Sequence, residues 1–160
     1  MGRKKCFLAI LFLTLLVMGT VGVCPTRGAV RWALTHRVFS YTTIFGGGVR
    51  VESESGYGGQ LHFWYQREPD SKITILEPVV TYHFKRFEKT IPFIGLGYYL
   101  KSDEYDETKR EESGITLLGG LEYFVNKHFS LDLRIVGRFL NSDGKGKTQI
   151  GTDLGVSIFF

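Results

Sequence analysis

Phe129 to Phe139 carries the plainest pattern in the chain. Phe129, Leu131, Leu133, Ile135 and Phe139 fall on one face with Gly137 in register, and Ser130, Asp132, Arg134, Val136 and Arg138 fall on the other. A period of two marks a strand with two unlike faces. The same alternation places Ile115, Leu117, Leu121, Tyr123 and Val125 opposite Thr116, Gly120 and Glu122, with Asn126-Lys127-His128 as a short turn between the two strands. At the chain end Leu154, Val156, Ile158 and Phe160 alternate with Asp153, Gly155, Ser157 and Phe159. Upstream, Ile94, Leu96, Tyr98 and Leu100 alternate with Phe93, Gly95, Gly97 and Tyr99, and Leu76, Val80, Tyr82 and Phe84 alternate with Glu77, Thr81 and His83. Leu61, Phe63 and Tyr65 alternate with Gln60, His62, Trp64 and Gln66. Phe39, Tyr41, Thr43 and Phe45 begin a further strand expected to run through Gly46-Gly47-Gly48 to Glu52. That makes seven strands, with Ala29 to His36 as a short candidate eighth.

No segment after residue 30 shows a helical repeat with caps, so the expected class is all-β. A tilted membrane strand takes about 9–11 residues, so eight need on the order of 88. The 131 residues from position 30 onward then leave roughly six for each of seven connections. An antiparallel up-and-down meander of this size closes readily into a barrel, which removes every unpaired edge.

Two barrels share this alternation with opposite polarity. A soluble, lipocalin-like barrel buries the apolar face, whereas a transmembrane barrel turns it to lipid and lines a narrow lumen with the other. The less apolar face decides between them. It is rich in Gly95, Gly97, Gly120, Gly155 and Ser157 with isolated charges of both signs, not the dense Lys, Glu and Thr of a water-facing sheet. An eight-strand lumen has little room, which suits glycine with a few charged side chains. Tyr65, Tyr82, Phe84, Tyr98, Tyr123, Phe139 and Phe160 lie near strand ends, as interfacial girdles require. The lumen charges are Glu122, Asp132, Arg134, Arg138 and Asp153. A hairpin through residues 126–128 puts Glu122 opposite Asp132 and diagonal to Arg134, with Asp153 beside Arg134 from the last strand. Unpaired charges there are costly, so mixed signs at adjacent levels are expected to pair as a structural plug. An ion-conducting or gated passage is the sharper alternative.

The first 24 residues stand apart. Arg3-Lys4-Lys5 precede an apolar run from Phe7 to Met18 broken by Thr14, and Gly19, Thr20 and Gly22 follow, the order of a secretory signal peptide cleaved somewhere in 22–29. Phe7 to Val23 sits at the lower limit for a helical span. Val21-Gly22-Val23-Cys24 also resembles a lipobox, with Val23 where a smaller residue is usual, so acylation of Cys24 is the alternative. The barrel domain is then 25–160. Removing the leader changes the charge picture: of 20 Lys and Arg residues three lie in it, leaving 17 against 16 acidic residues, which gives no basic surface for nucleic acid. Cys6 and Cys24 also lie in the leader, so no disulfide or thiol chemistry is expected of the mature chain.

Pro92-Phe93-Ile94-Gly95-Leu96-Gly97-Tyr98 and Gly120-Leu121-Glu122-Tyr123-Phe124, followed by Phe129-Ser130-Leu131, resemble the outer-membrane β-barrel family of small OmpA-like and OmpX-like barrels. The resemblance covers residues 73–160 well and 38–72 loosely; Ala29 to His36 lacks the family's Gly/aromatic first strand. It implies a Gram-negative-type outer membrane, periplasmic chain ends, a lipid environment and no single shared activity. The ending Leu154-Gly155-Val156-Ser157-Ile158-Phe159-Phe160 resembles the family's last strand, which implies that Leu154, Val156, Ile158 and Phe160 form the signal read by the barrel-assembly machinery. Periplasmic chain ends place Arg67–Lys72, Lys101–Ser113 and Asn141–Lys147 outside the cell.

No segment points to a cofactor. Gly46-Gly47-Gly48 lacks the Lys-Ser/Thr and helix of a phosphate loop. His36, His62, His83 and His128 lack close metal-ligand spacing. Lys101 to Ser113 holds six acids and three bases and reads as a solvated extracellular loop more than as a calcium site. His128-Phe129-Ser130 matches the His-x-Ser pair of outer-membrane lipid A deacylases, but a periplasmic C-terminus puts it at the wrong end, and Leu131 stands where that pair is followed by asparagine. The expected role is non-enzymatic: structural or adhesive through extracellular loops, with a narrow pore or transporter of small solutes as the alternative.

Overall fold

The computed structural model describes residues 30–39, 45–67, 71–105, 108–142 and 144–160. The leader, both cysteines and the segment 40–44 lie outside the described residues. Eight strands follow one another: β1 (Val30–Phe39), β2 (Phe45–Ser53), β3 (Tyr57–Arg67), β4 (Ser71–His83), β5 (Thr90–Tyr105), β6 (Thr108–Asn126), β7 (Phe129–Ser142) and β8 (Lys145–Phe159). Each pairs antiparallel with the next, and β8 returns to β1 to close the barrel, with Ala33 opposite Phe159 and Phe39 opposite Asp153. The all-β, eight-stranded up-and-down barrel expected from the alternation is the fold.

Two local expectations need correction. The strand anticipated from Phe39 to Glu52 is divided: β1 ends at Phe39, β2 begins at Phe45, and the doubtful segment from Ala29 to His36 supplies most of β1. The register explains the division, because it sets Trp32 beside Val51 and Leu34 beside Val49 on one face and Ala33 beside Arg50 on the other. Lys101 to Ser113, expected as a loop, is mostly ladder. β5 and β6 run through it to the pair Tyr105–Thr108, and Lys101 faces Glu112, Asp103 faces Arg110 and Glu104 faces Lys109 across the strands. Opposite charges directly across a ladder support pairing, so a segment that reads as a charged loop extends a hairpin.

Strand length gives the barrel two unlike ends. β1 and β2 have 10 and 9 residues, β5 and β6 have 16 and 19, and β7 and β8 have 14 and 15. One end carries the C-terminus and the connections 54–56, 84–89 and 127–128, and is called the C-terminal mouth below. The first of these turns is tight: Gly56 takes φ 88°, donates its N–H to the Ser53 carbonyl at 3.0 Å, and leaves no space for a Cβ beside the His83 carbonyl. At the opposite end the β5–β8 side rises above the β1–β2 side.

The wall is inverted relative to a soluble protein. Along β7 every second residue from Ser130 to Leu140 is buried, while Leu131, Leu133, Ile135 and Phe139 are exposed. Leu34, Phe63, Ile94, Leu96, Leu117, Leu121, Leu154 and Ile158 join them in an apolar exterior. Tyr57, Tyr82 and Phe84 contact one another near the C-terminal mouth, with ring centres 5.0 and 5.2 Å apart, and Trp32, Tyr123 and Phe160 are exposed at the same end. Tyr65 and Phe139 are exposed toward the taller end.

Candidate functional site: a charged, packed lumen

The inward positions of the strands build three apolar clusters and one polar network. Trp64, Ile75, Tyr99 and Leu140 pack toward the tall end, Val79, Phe93, Leu118 and Val136 at mid-height, and Ala33, Phe124 and Phe159 at the C-terminal mouth. The charges lie among them. Four arginines, Arg37, Arg50, Arg134 and Arg138, are fully buried together with Glu77, Glu122, Asp132 and Asp153. Buried charges of this kind persist only when paired and hydrogen-bonded, and here each arginine meets a carboxylate.

From the C-terminal mouth upward, Arg50 of β2 donates Nη1 and Nη2 to the two carboxylate oxygens of Glu122 at 2.8 and 2.6 Å, a bidentate fork. The same Nη2 reaches Glu52 and lies 2.8 Å from His83 Nε2, and Ser130 Oγ donates to Glu122 at 2.5 Å. Higher up, Arg37 of β1 donates Nη1 to Asp132 at 2.6 Å, Nε to His62 at 2.9 Å and Nη2 to Gln60 at 3.2 Å. Arg134 donates Nε and Nη2 to Asp153 at 3.1 and 2.9 Å and approaches Glu77 at 3.6 Å. Arg138 donates Nε to Glu77 at 3.1 Å, and Thr116 Oγ1 donates to the same oxygen at 2.9 Å. Small residues make room for this: a Cβ at Gly155 would run into the Asp132 carboxylate and Arg37 Nη1.

All five charges anticipated for the lumen point inward. Glu122 does sit opposite Asp132, and Arg134 does bond Asp153. Arg134 is not the partner of Glu122, however; that role belongs to Arg50, while Asp132 takes Arg37 and Arg138 takes Glu77. Arg37, Arg50, Glu52, His62, Glu77 and His83 are the members that sequence reasoning did not assemble. Their signal was present as single polar residues at inward positions, but their partners lie across the lumen, 95 residues away for Arg37 and 72 for Arg50. Leu154, Ile158 and Phe160 are exposed on the wall, and Val156 is half-buried beside them.

The chemistry available is limited by these contacts. Glu52, His83 and Glu122 bring ligand-type atoms within 4.8 Å of one another, which the histidine spacing did not disclose, but Arg50 Nη2 is in contact with all three. A tethered cation thus stands among the atoms that a metal ion would use. His128 Nδ1 lies 3.0 Å from the Phe159 carbonyl, and Ser130 Oγ is buried against Glu122, so the two do not form a nucleophile–base pair.

A closed eight-strand barrel with an apolar wall and a charged, packed core is the fold seen in small outer-membrane barrels. The particular likenesses are structural. The N-terminal β-barrel domain of Pseudomonas aeruginosa OprF superposes with a TM-score of 0.64 at 16% identity over 84% of this chain and 100% of that one. Neisserial surface protein A (NspA) gives 0.58 at 15% identity over 82% and 96%. A de novo designed transmembrane β-barrel gives 0.55 at 12% identity over 84% and 98%. No family model and no curated protein matches the sequence.

Proposed function

We propose that the protein spans the outer membrane of a Gram-negative-type bacterium as a non-conducting barrel, with a structural or adhesive role carried by the strands that rise on the β5–β8 side. One observation carries this reading: the lumen is filled along its length, with Thr116, Glu122, Ser130, Arg134 and Val136 each 0% exposed. A filled lumen leaves the wall and the projecting hairpins as the working surfaces. Its environment is outer-membrane lipid on the apolar wall, and its assembly partner is the barrel-assembly machinery reading Leu154, Val156, Ile158 and Phe160. No catalytic role is assigned to any side chain.

Purified protein should migrate differently on a gel before and after boiling, because a closed barrel resists detergent until heated. Reconstituted in planar bilayers, it should then show no single-channel steps. Reproducible steps from the heat-modifiable form would replace the plug with a narrow pore.

A further inference from the structure

The C-terminal mouth carries an aromatic pair that the lumen network meets on one side only, where the Arg50 guanidinium lies 5.2 Å from the centre of Phe159. Phe124 and Phe159 pair there at 5.5 Å between ring centres, and both are buried. The Arg31 guanidinium lies 4.2 Å from the centre of Phe159 and 5.3 Å from that of Phe124, and the Arg86 guanidinium lies 5.3 Å from the centre of Phe124. Two cations therefore converge on one ring.

Both are held in place by backbone, not by acid. Arg31 Nη2 donates to the Lys127 carbonyl at 2.8 Å, closing β1 onto the β6–β7 turn. Arg86 Nε donates to the Glu88 carbonyl at 2.6 Å, a contact set up by the left-handed φ of 53° at Glu88. Among the described residues neither guanidinium forms a salt bridge, unlike the four arginines of the lumen. Each keeps further N–H donors, and each lies over an aromatic ring that attracts its charge. Lys85, Lys89 and Lys127 are exposed at the same end, against exposed Glu54 and Glu88. Two guanidinium groups over one ring repel one another, and an oxyanion bound between them would relieve that repulsion.

We propose that Arg31 and Arg86, seated on Phe124, form a phosphate-type oxyanion site at the C-terminal mouth. The ligand is a phosphate group, either free or borne on a lipid headgroup. The site is independent of which way the barrel faces and of what its hairpins bind.

The test uses the full folded chain in octyl glucoside, which carries no phosphate. Titration with inorganic phosphate, followed by amide 1H–15N spectra, should give saturable shifts confined to residues near Arg31, Arg86–Glu88 and Phe124–Lys127. Arg31→Gln and Arg86→Gln should each weaken the apparent affinity by about tenfold or more, the loss of a charge-assisted contact. Lys89→Gln, which removes the same charge at the same end, should change it little. Arg31→Lys and Arg86→Lys keep the charge and lose the fork, so they should fall between wild type and Gln while retaining the heat-dependent gel shift. A second arm compares vesicles of phosphatidylcholine with and without phosphatidylglycerol. Arg-dependent protection of the same amides by phosphatidylglycerol assigns the phosphate to lipid, and saturation by free phosphate without a lipid preference assigns it to a soluble ion. Absence of saturable binding in both arms, or equal affinity in wild type and the folded Arg variants, overturns the site.

Discussion

Arg134 illustrates what a single residue holds in this barrel. Its guanidinium is buried and bonded to Asp153 on the neighbouring strand, with Glu77 at 3.6 Å from across the lumen. Removing one member of a buried pair leaves the other charge uncompensated, a loss of about 3–5 kcal/mol. Arg134→Leu should therefore lower unfolding stability in detergent or bilayers by that order. Asp153→Asn in the same chain should restore part of it, whereas Glu122→Gln should restore none, because Glu122 is held by Arg50. The adjacent Leu133 points the other way, and Leu133→Arg should cost about 2–4 kcal/mol in a bilayer if the wall meets lipid mid-plane. A folded, stable Leu133→Arg variant recovered in water would place that face in solvent. Sequence exposed part of this network for a physical reason. Partners joined by a hairpin, such as Arg134 and Asp153, follow from register counting, but Arg50 and Glu122 meet only because the sheet closes, and no local spacing encodes that.

At the scale of the strand, legibility tracked how different the two faces are. β7 has Leu131, Leu133 and Ile135 set against Asp132, Arg134 and Arg138, so its alternation is unmistakable. β1 sends Trp32, Leu34 and His36 to one face and Ala33, Thr35 and Arg37 to the other, so each face mixes polar and apolar residues and the pattern blurs. The β5–β6 extension was hidden differently, because consecutive charges look solvated until their cross-strand partners are known. The ion pairs formed around it are exposed or half-exposed and do not bridge β5 to β6: Lys101 lies 3.1 Å from Asp103 and Lys109 3.0 Å from Glu111 along single strands, and Lys72 of β4 lies 3.5 Å from Glu104. Exposed pairs contribute little to stability. Replacing residues 103–110 by a short Asn-Gly turn should accordingly leave the gel shift on heating and the unfolding midpoint nearly unchanged, while abolishing any surface binding that depends on this hairpin. A collapse of folding on that replacement would mean that the extension is part of the barrel's structural core.

For the molecule as a whole, orientation and assembly are the outstanding physical questions, and each has a separate handle. If the C-terminal mouth faces the periplasm, trypsin added to intact cells should cut at Lys109 or Arg110 beside the tip of the tall hairpin and spare Lys127, which lies in the turn at the other end. Cleavage at Lys127 with the membrane intact would invert the barrel. Assembly is tested at Phe160. Its backbone N–H donates to the Trp32 carbonyl at 2.9 Å, but its side chain is 75% exposed and belongs to none of the lumen clusters. The ring therefore adds little to the packing of the closed barrel, and Phe160→Asp keeps the backbone hydrogen bond. The purified variant, refolded from denaturant into detergent, should show the same gel shift and nearly the same unfolding midpoint as wild type. If Leu154, Val156, Ile158 and Phe160 form the assembly signal proposed above, the same substitution should in cells lower the outer-membrane level and leave precursor in the periplasm. Normal surface levels would remove Phe160 from that signal, and an equal loss in the refolded protein would make its role one of stability instead.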